Sequence, residues 1–176
     1  MLRGPEPLSR AHQLDEFSCG KPALDVWLKT NARSNQENGF TAVMVVHEDG
    51  RVDAYYGVAP TAVERNLMPR PNRTGRAPDP VPCLLLGQFA VDQRWSGHGI
   101  GSGLFRHAML RCVEAAQLIG GRAVVVNAID PDAGDYWKRR GFVAAKDHPM
   151  ILFQSLARIA ASLAESGKGL NFRQAG

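Results

Sequence analysis

Between Asp92 and Phe105 the chain reads DQRWSGHGIGSGLF, with glycine at 97, 99, 101 and 103, and a helical pattern takes over from Ile100. Glycine carries no side chain to block a ligand and tolerates φ values that other residues resist. A helix N-terminus leaves backbone amides unpaired and carries partial positive charge, so a glycine-rich entry gathers donors around an anion, usually a phosphate. A second stretch, DYWKRRGF from Asp135, sets a phenol beside an indole at Tyr136 and Trp137. A phenol with an ordinary pKa of about 10 holds a proton that it can donate at neutral pH, whereas an indole N–H can only hydrogen-bond. Consecutive residues lie about 100° apart around a helix, so the two side chains cannot aim at one point.

The glycine pattern excludes two common phosphate loops. No Lys-Ser/Thr pair follows it, and it stands past the middle of the chain rather than after a first strand. No general base stands out: His47, His98, His107 and His148 occur singly, and Glu48, Asp92 and Asp130 fall near strand or helix ends, where turn and capping roles compete. Cys19, Cys83 and Cys112 are odd in number and lack metal-ligand spacing, so reduced, mostly buried thiols and no metal site are expected.

The elements that must position these groups follow from periodicity. Residues 21 to 38 place Leu24, Trp27, Leu28 and Ala32 on one helical face, with Pro22 in the first turn. Strands at 41–46 and 52–59 flank an Asp-Gly turn and predict a hairpin. From Asn66 to Pro82 five prolines predict a long loop. Residues 83 to 91 read as a buried strand, followed by the glycine loop and a helix with apolar residues at Ile100, Leu104, Ala108, Cys112 and Ala116. A second buried strand spans 122–129, and Asp130-Pro131 predicts the start of a short helix through Arg140. FVAA and HPMILF predict a late strand pair, residues 155 to 165 a terminal helix, and 166 to 176 a flexible tail after a single domain over 1 to 165.

The 176 residues, 44% hydrophobic and 22% charged, suit one globular domain, and a net charge of +4 leans mildly toward anionic partners. No stretch has the length of a membrane span or the apolar core of a secretory leader, so a soluble, cytoplasmic protein without a membrane partner is expected.

Arg94, with Gly97 and Gly99 at its third and fifth following positions, resembles the Arg/Gln-x-x-Gly-x-Gly/Ala loop of the Gcn5-related N-acetyltransferase (GNAT) family, and VVVNAIDPDAGDYWKRRGF resembles that family's next strand, short helix and Gly-Phe ending. Upstream, FSCGKPALDVWLKTNARSNQ and LLLGQFAVD are similar to segments of the acetyltransferase toxins of type II toxin–antitoxin systems, with Gln88 where those relatives usually carry Arg. The resemblance spans roughly residues 5 to 153 and implies an α/β (α+β) GNAT fold: a mixed, mostly antiparallel sheet with helices on both faces, splayed where acetyl-CoA binds.

That resemblance implies acetyl-CoA as the acetyl donor. By the same likeness, the backbone of Phe89, Ala90 and Val91 contacts the pantetheine and acetyl group, the segment Arg94, Gly97, His98, Gly99, Ile100, Gly101 and Ser102 holds the pyrophosphate, and Asn127 reaches a pantetheine amide or caps its strand. In many relatives the thiolate leaving group takes its proton from a Tyr of the short helix, at the position of Trp137; here Tyr136 gives the proton, or Trp137 serves as a pocket wall or weak hydrogen-bond donor while water protonates the thiolate. The toxin-like relatives acetylate the α-amine of aminoacyl-tRNA and block translation. Arg65, Arg70, Arg73 and Arg76 beside the proline loop, with Lys138, Arg139 and Arg140, are the basic groups for such a substrate, or a solvated surface. A ribbon-helix-helix antitoxin and a homodimer complete the implied set of partners. Two further readings stay open: an acetyltransferase for a small-molecule amine or protein amino group, and an inactive CoA-binding module.

Overall fold

The computed structural model describes residues 1–73 and 76–167. In chain order the elements are β1 (Leu2–Pro7), α1 (Pro22–Thr30), α2 (Ala32–Glu37), β2 (Ala42–Glu48), β3 (Arg51–Val63), β4 (Val81–Val91), α3 (Ile100–Ile119), β5 (Ala123–Asn127), α4 (Pro131–Arg139), β6 (Val143–Ala145), β7 (His148–Ser155) and α5 (Leu156–Gly167). They divide into two compact units, Met1–Ala59 with Leu85–Ala108, and Pro60–Leu84 with Met109–Gly176.

In the first unit the strands run in the order β1-β2-β3-β4, with β2 antiparallel to both β1 and β3. The β2–β3 hairpin turns on Asp49 and Gly50, both at positive φ (50° and 87°), the geometry that the Asp-Gly pair predicted. The helix expected over 21 to 38 is two helices. Thr30 turns its hydroxyl back to the Val26 carbonyl (2.7 Å), and the Asn31 carbonyl collects the amide and side chain of Asn35 (2.9 and 3.0 Å). These polar side chains compete with the helical ladder and break it at Asn31. The apolar face survives the break: Leu28 and Ala32 are buried with Leu8, Phe17, Val43, Val45, Val52, Tyr55 and Ala90, while Leu24 and Trp27 pack against that cluster. Burying each large side chain there contributes about 1.5–3 kcal/mol.

Strand β1 was not visible in the sequence. LRGPEP carries two prolines and no alternating apolar face, features tolerated because the strand ends the order and needs only one partner. It is pinned through Glu6, whose Oε1 accepts from the rings of His47 (2.8 Å) and His12 (3.1 Å). Each of those rings takes a backbone amide at Nδ1, Gly50 on His47 and Ser9 on His12, both at 3.0 Å. With Nδ1 accepting, the proton lies on Nε2, and both rings donate to the carboxylate. His47, read from sequence as a lone histidine, therefore belongs to a three-residue cluster.

In the second unit the order is β4-β5-β7-β6, with β7 antiparallel to β5 and β6. Ala123 to Val126 are buried, as the run of β-branched residues predicted, and the expected late strand pair is β6 and β7. The proline-rich connection holds two short 3-10 turns, Arg65–Leu67 and Arg70–Asn72. Asp130 caps α4, its Oδ1 accepting from the Ala133 amide at 2.8 Å, with Pro131 at the first helical position. Helix α5 continues through Gly167, so Ser166 and Gly167 are helical rather than part of a tail; the rest of the expected tail, 168 to 176, lies outside the described residues. Among the described residues no helix is long and apolar enough to cross a membrane.

Candidate active site

The glycine loop lies in the first unit, between β4 and α3. Gly97 and Gly99 have φ of 76° and 79°, where an L side chain is strained, and a methyl group at either would meet nothing within 4 Å. Backbone freedom, not close packing, is what demands glycine at these two positions. Farther back, the amides of Trp95, Ser96 and His98 are used within the turn, donating to Asp92, Gln93 and Trp95 at 3.0, 3.1 and 3.2 Å. Among the described residues none accepts from the amides of Gly97, Gly99, Ile100, Gly101 or Ser102. Five donors at the mouth of a 20-residue helix, in open space, make an anion cradle. His98 is exposed, its Nδ1 3.0 Å from the Ser96 carbonyl oxygen.

Arg94, expected among the groups that hold the pyrophosphate, is 38% exposed and bonds back to the fold. Its Nε and Nη2 donate to Asp92 (2.9 and 3.1 Å), Nη2 also to Asp53 (3.2 Å), and its amide to Asp92 Oδ1 (2.9 Å). Asp53 is fully buried near the start of β3, where Arg51 also approaches its Oδ1 at 3.7 Å. Burial raises the Asp53 carboxyl, against the pull of the Trp95 indole and of the Arg51 and Arg94 guanidiniums. Burial pushes Asp92 the same way, but the Arg94 side chain and the amides of Ser18 and Arg94 outweigh it and hold the group below the usual carboxylate range. Sequence reasoning missed Asp53; the available signal was a lone acid inside the apolar run VDAYYGV.

On β4, Ala90 is buried in the first unit's core, while Gln88, Phe89 and Val91 are half-buried. Gln88 and Trp27 share a neighbourhood: a methyl group built on Gly57 would lie 3.1 Å from Gln88 Oε1, 3.0 Å from Thr41 Cγ2 and 3.6 Å from Trp27 Cη2. The Trp27 indole stacks on Tyr55 with centroids 6.0 Å apart.

The aromatic pair lies in the second unit. Trp137 is buried and packs edge-on against Phe142, centroids 5.4 Å apart. Tyr136 is half-buried, edge-on to Trp137 at 5.0 Å, and the Arg140 guanidinium carbon stands 3.4 Å from its ring centre. Burial raises the Tyr136 phenol, with Arg140 and Arg139 pulling in the opposite direction. The phenol therefore holds its proton throughout the neutral range. Asn127, at the end of β5, is exposed.

The second unit also carries all seven basic residues singled out for a tRNA substrate. Arg65 and Arg73 serve the proline-rich loop, donating to the carbonyls of Ala77 (3.0 Å), and of Met68 and Asn66 (2.6 and 2.7 Å). Arg70, Arg76, Lys138 and Arg139 are exposed, and Arg140 is half-buried over Tyr136. Cys19, Cys83 and Cys112 are all free thiols.

No protein-family model matches the chain. A tRNA-acetylating toxin of Mycobacterium tuberculosis is 38% identical over 149 residues, covering 84% of this chain and 89% of that protein. A crystal structure of a tyrosine-to-phenylalanine mutant of KacT superposes with a TM-score of 0.82 at 22% identity, over 92% of this chain and 98% of that one. AtaT complexed with acetyl-methionyl-tRNAfMet gives 0.81 at 23% identity, over 93% and 98%. The structural likeness establishes the fold and the sequence likeness the kinship: the chain belongs to the family of the tRNA-acetylating toxins, N-acetyltransferases built on the GNAT fold.

Proposed function

We propose that the protein transfers the acetyl group of acetyl-CoA to the α-amine of aminoacyl-tRNA and thereby arrests translation. The observation that carries this reading is the loop at Gly97 to Ser102, whose unengaged amides suit a pyrophosphate, in a chain 38% identical to a tRNA-acetylating toxin. Structures of AtaT bound with acetyl-CoA support the choice of donor.

In the proposed reaction the neutral amine attacks the thioester carbonyl carbon, the C–S bond breaks, and the new amide keeps the acetyl group. The amine loses one proton to solvent, the thiolate gains one from the Tyr136 phenol, and the phenolate recovers a proton from solvent, so that coenzyme A leaves as the thiol and the enzyme is restored. Tyr136 fits that role because it is protonated and half-buried, whereas Trp137 is buried against Phe142 and serves as a wall. Esterification lowers the acceptor's pKa below that of a free α-amino group, about 7.7–8.0, and so reduces the need for an enzymic base. Arg70, Arg76, Lys138 and Arg139 supply exposed positive charge for the phosphates of the acceptor stem. The first 165 residues act as one catalytic domain in this reading.

The same kinship supports a cytoplasmic protein held by an antitoxin of the ribbon-helix-helix class and working as a homodimer; AtaT has been seen bound to the C-terminus of its antitoxin AtaR. The test is transfer of radiolabelled acetyl groups from acetyl-CoA to charged tRNA, uncharged tRNA and a polyamine. Label on charged tRNA alone, released by mild alkali as an N-acetyl amino acid, is the expected result. Label on the polyamine alone would move the acceptor to small amines, and label on none would leave a binding module.

A further inference from the structure

Asp92 Oδ2 accepts from the Ser18 amide at 3.0 Å, and the Gln93 amide donates to the Ser18 carbonyl at 2.9 Å. The segment Phe17–Gly20, the FSCG of the N-terminal motif, is thus bonded in both directions to the start of the glycine loop. Gly20 completes the fit, since a methyl group there would lie 2.7 Å from Gln93 Nε2. On the other side, Arg94 ties Asp92 to the buried Asp53 of β3, and Glu16 stands 3.9 Å from Arg94 and 3.7 Å from Arg51.

We propose that Arg94 is a positioning residue and not a phosphate ligand: with Asp53, Asp92 and Ser18 it forms a brace that presets the loop for acetyl-CoA. The inference rests on the acetyl-CoA reading of the proposed function. Its physical basis is neutralisation. Arg94 faces two carboxylates at hydrogen-bond distance and a third at 3.9 Å, so although 38% exposed it has its Nε and Nη2 engaged by protein acceptors before any ligand arrives. The cradle then acts through backbone dipoles alone. Such donors work only if held in place beforehand, and holding them is what a guanidinium fork bonded to a strand carboxylate and to the cap of the loop does. The brace also gives the N-terminal motif a task, since Ser18 supplies backbone to the loop rather than a side chain to the reaction.

The two roles for Arg94 predict opposite signs at Asp53. If Arg94 were a phosphate ligand, Asp53→Asn would release its charge and tighten coenzyme A binding, while Arg94→Gln would weaken it. The brace predicts that both substitutions weaken binding, each raising the KM for acetyl-CoA about tenfold with kcat within about twofold, and that the double variant is no worse than the poorer single one. Arg94→Lys, which keeps the charge and loses the fork, should recover only part of the affinity. Tighter binding in Asp53→Asn, or full recovery in Arg94→Lys, would overturn the proposal.

Amide exchange of the free protein provides a readout independent of ligand and keeps the test alive if Asp53→Asn does not fold. The brace predicts faster exchange across residues 93 to 102 in Arg94→Gln, and unchanged exchange there would refute it. If the wild-type chain bound no coenzyme A, the acetyl-CoA reading would fall, while the exchange comparison would still decide whether the brace exists.

Discussion

The Arg140 guanidinium carbon lies 3.4 Å from the ring centre of Tyr136, one helical turn back, and its Nη1 donates to the Tyr136 carbonyl at 3.3 Å. A cation over a phenol face stabilises phenolate relative to phenol, and it opposes the upward push of burial on this group. The contact bears on the ring's orientation as well as its acidity, and in the proposed reaction Tyr136 is the proton donor.

Tyr136→Phe should lower kcat about 100-fold, the lower end of what a positioned general acid contributes, with the KM for acetyl-CoA nearly unchanged. Trp137→Phe should instead act on folding, reducing the unfolding midpoint while kcat stays within a few-fold. Steady-state kinetics and thermal unfolding of the two variants separate the roles, and the reverse pattern would give the thiolate a hydrogen bond from Trp137 and its proton from water.

Gly97→Ala and Gly99→Ala should each cost about 1 kcal/mol of stability from the left-handed backbone alone, since there is room for the methyl group at both. The loss of coenzyme A affinity should exceed tenfold, because the neighbouring amides turn with the backbone. Calorimetric titration beside chemical denaturation compares the two effects.

Asp53→Ala should destabilise the protein by only about 1 kcal/mol, because it removes one bond from an Arg94 that is 38% exposed and keeps Asp92. Denaturant unfolding measures it.

Glu6 contributes to the response to acid in the first unit, beside Glu37, Glu48 and Asp92, which are also held below the usual carboxylate range. His47 and then His12, donating to the Glu6 carboxylate, hold it below that range. A group whose folded pKa is depressed contributes stability above its unfolded pKa and loses it as pH falls through the folded value. Wild type should therefore lose unfolding free energy more steeply than Glu6→Gln as pH falls below about 5, and the two curves should run parallel at neutral pH.

The thiols should be inert at neutral pH. Burial first, and then the Asp25 carboxylate, push Cys19 up to about 11, and burial pushes Cys112 up to about 12. Iodoacetamide at pH 8 should label neither of the two in the native protein within minutes, and mass spectrometry of the digested chain would reveal any that it does.

Elements whose periodicity and punctuation agree could be read directly from the sequence. The Asp49-Gly50 hairpin, the Asp130-Pro131 start of α4, the buried strand β5 and the glycine entry to α3 all appear where their residues put them. What local pattern could not supply was the set of partners distant in sequence. Arg94 belongs to a recognisable motif, yet beside its bonds to the neighbouring Asp92 it reaches Asp53, 41 residues away. His47 reads as solitary until Glu6 and His12 arrive from β1 and the segment after it, and β1 itself exists only because β2 offers an edge. The split at Asn31 depended on side chains turning back to their own backbone, which an apolar stripe continuing to Ala32 conceals.

The central claim is best tested in a cell-free translation system given the purified protein with and without acetyl-CoA, followed by mass spectrometry of the aminoacyl ends of the tRNA pool. The account predicts arrest only with acetyl-CoA, accompanied by N-acetylated aminoacyl-tRNA, and relief of both in Tyr136→Phe. Undiminished translation with an unmodified tRNA pool would contradict it.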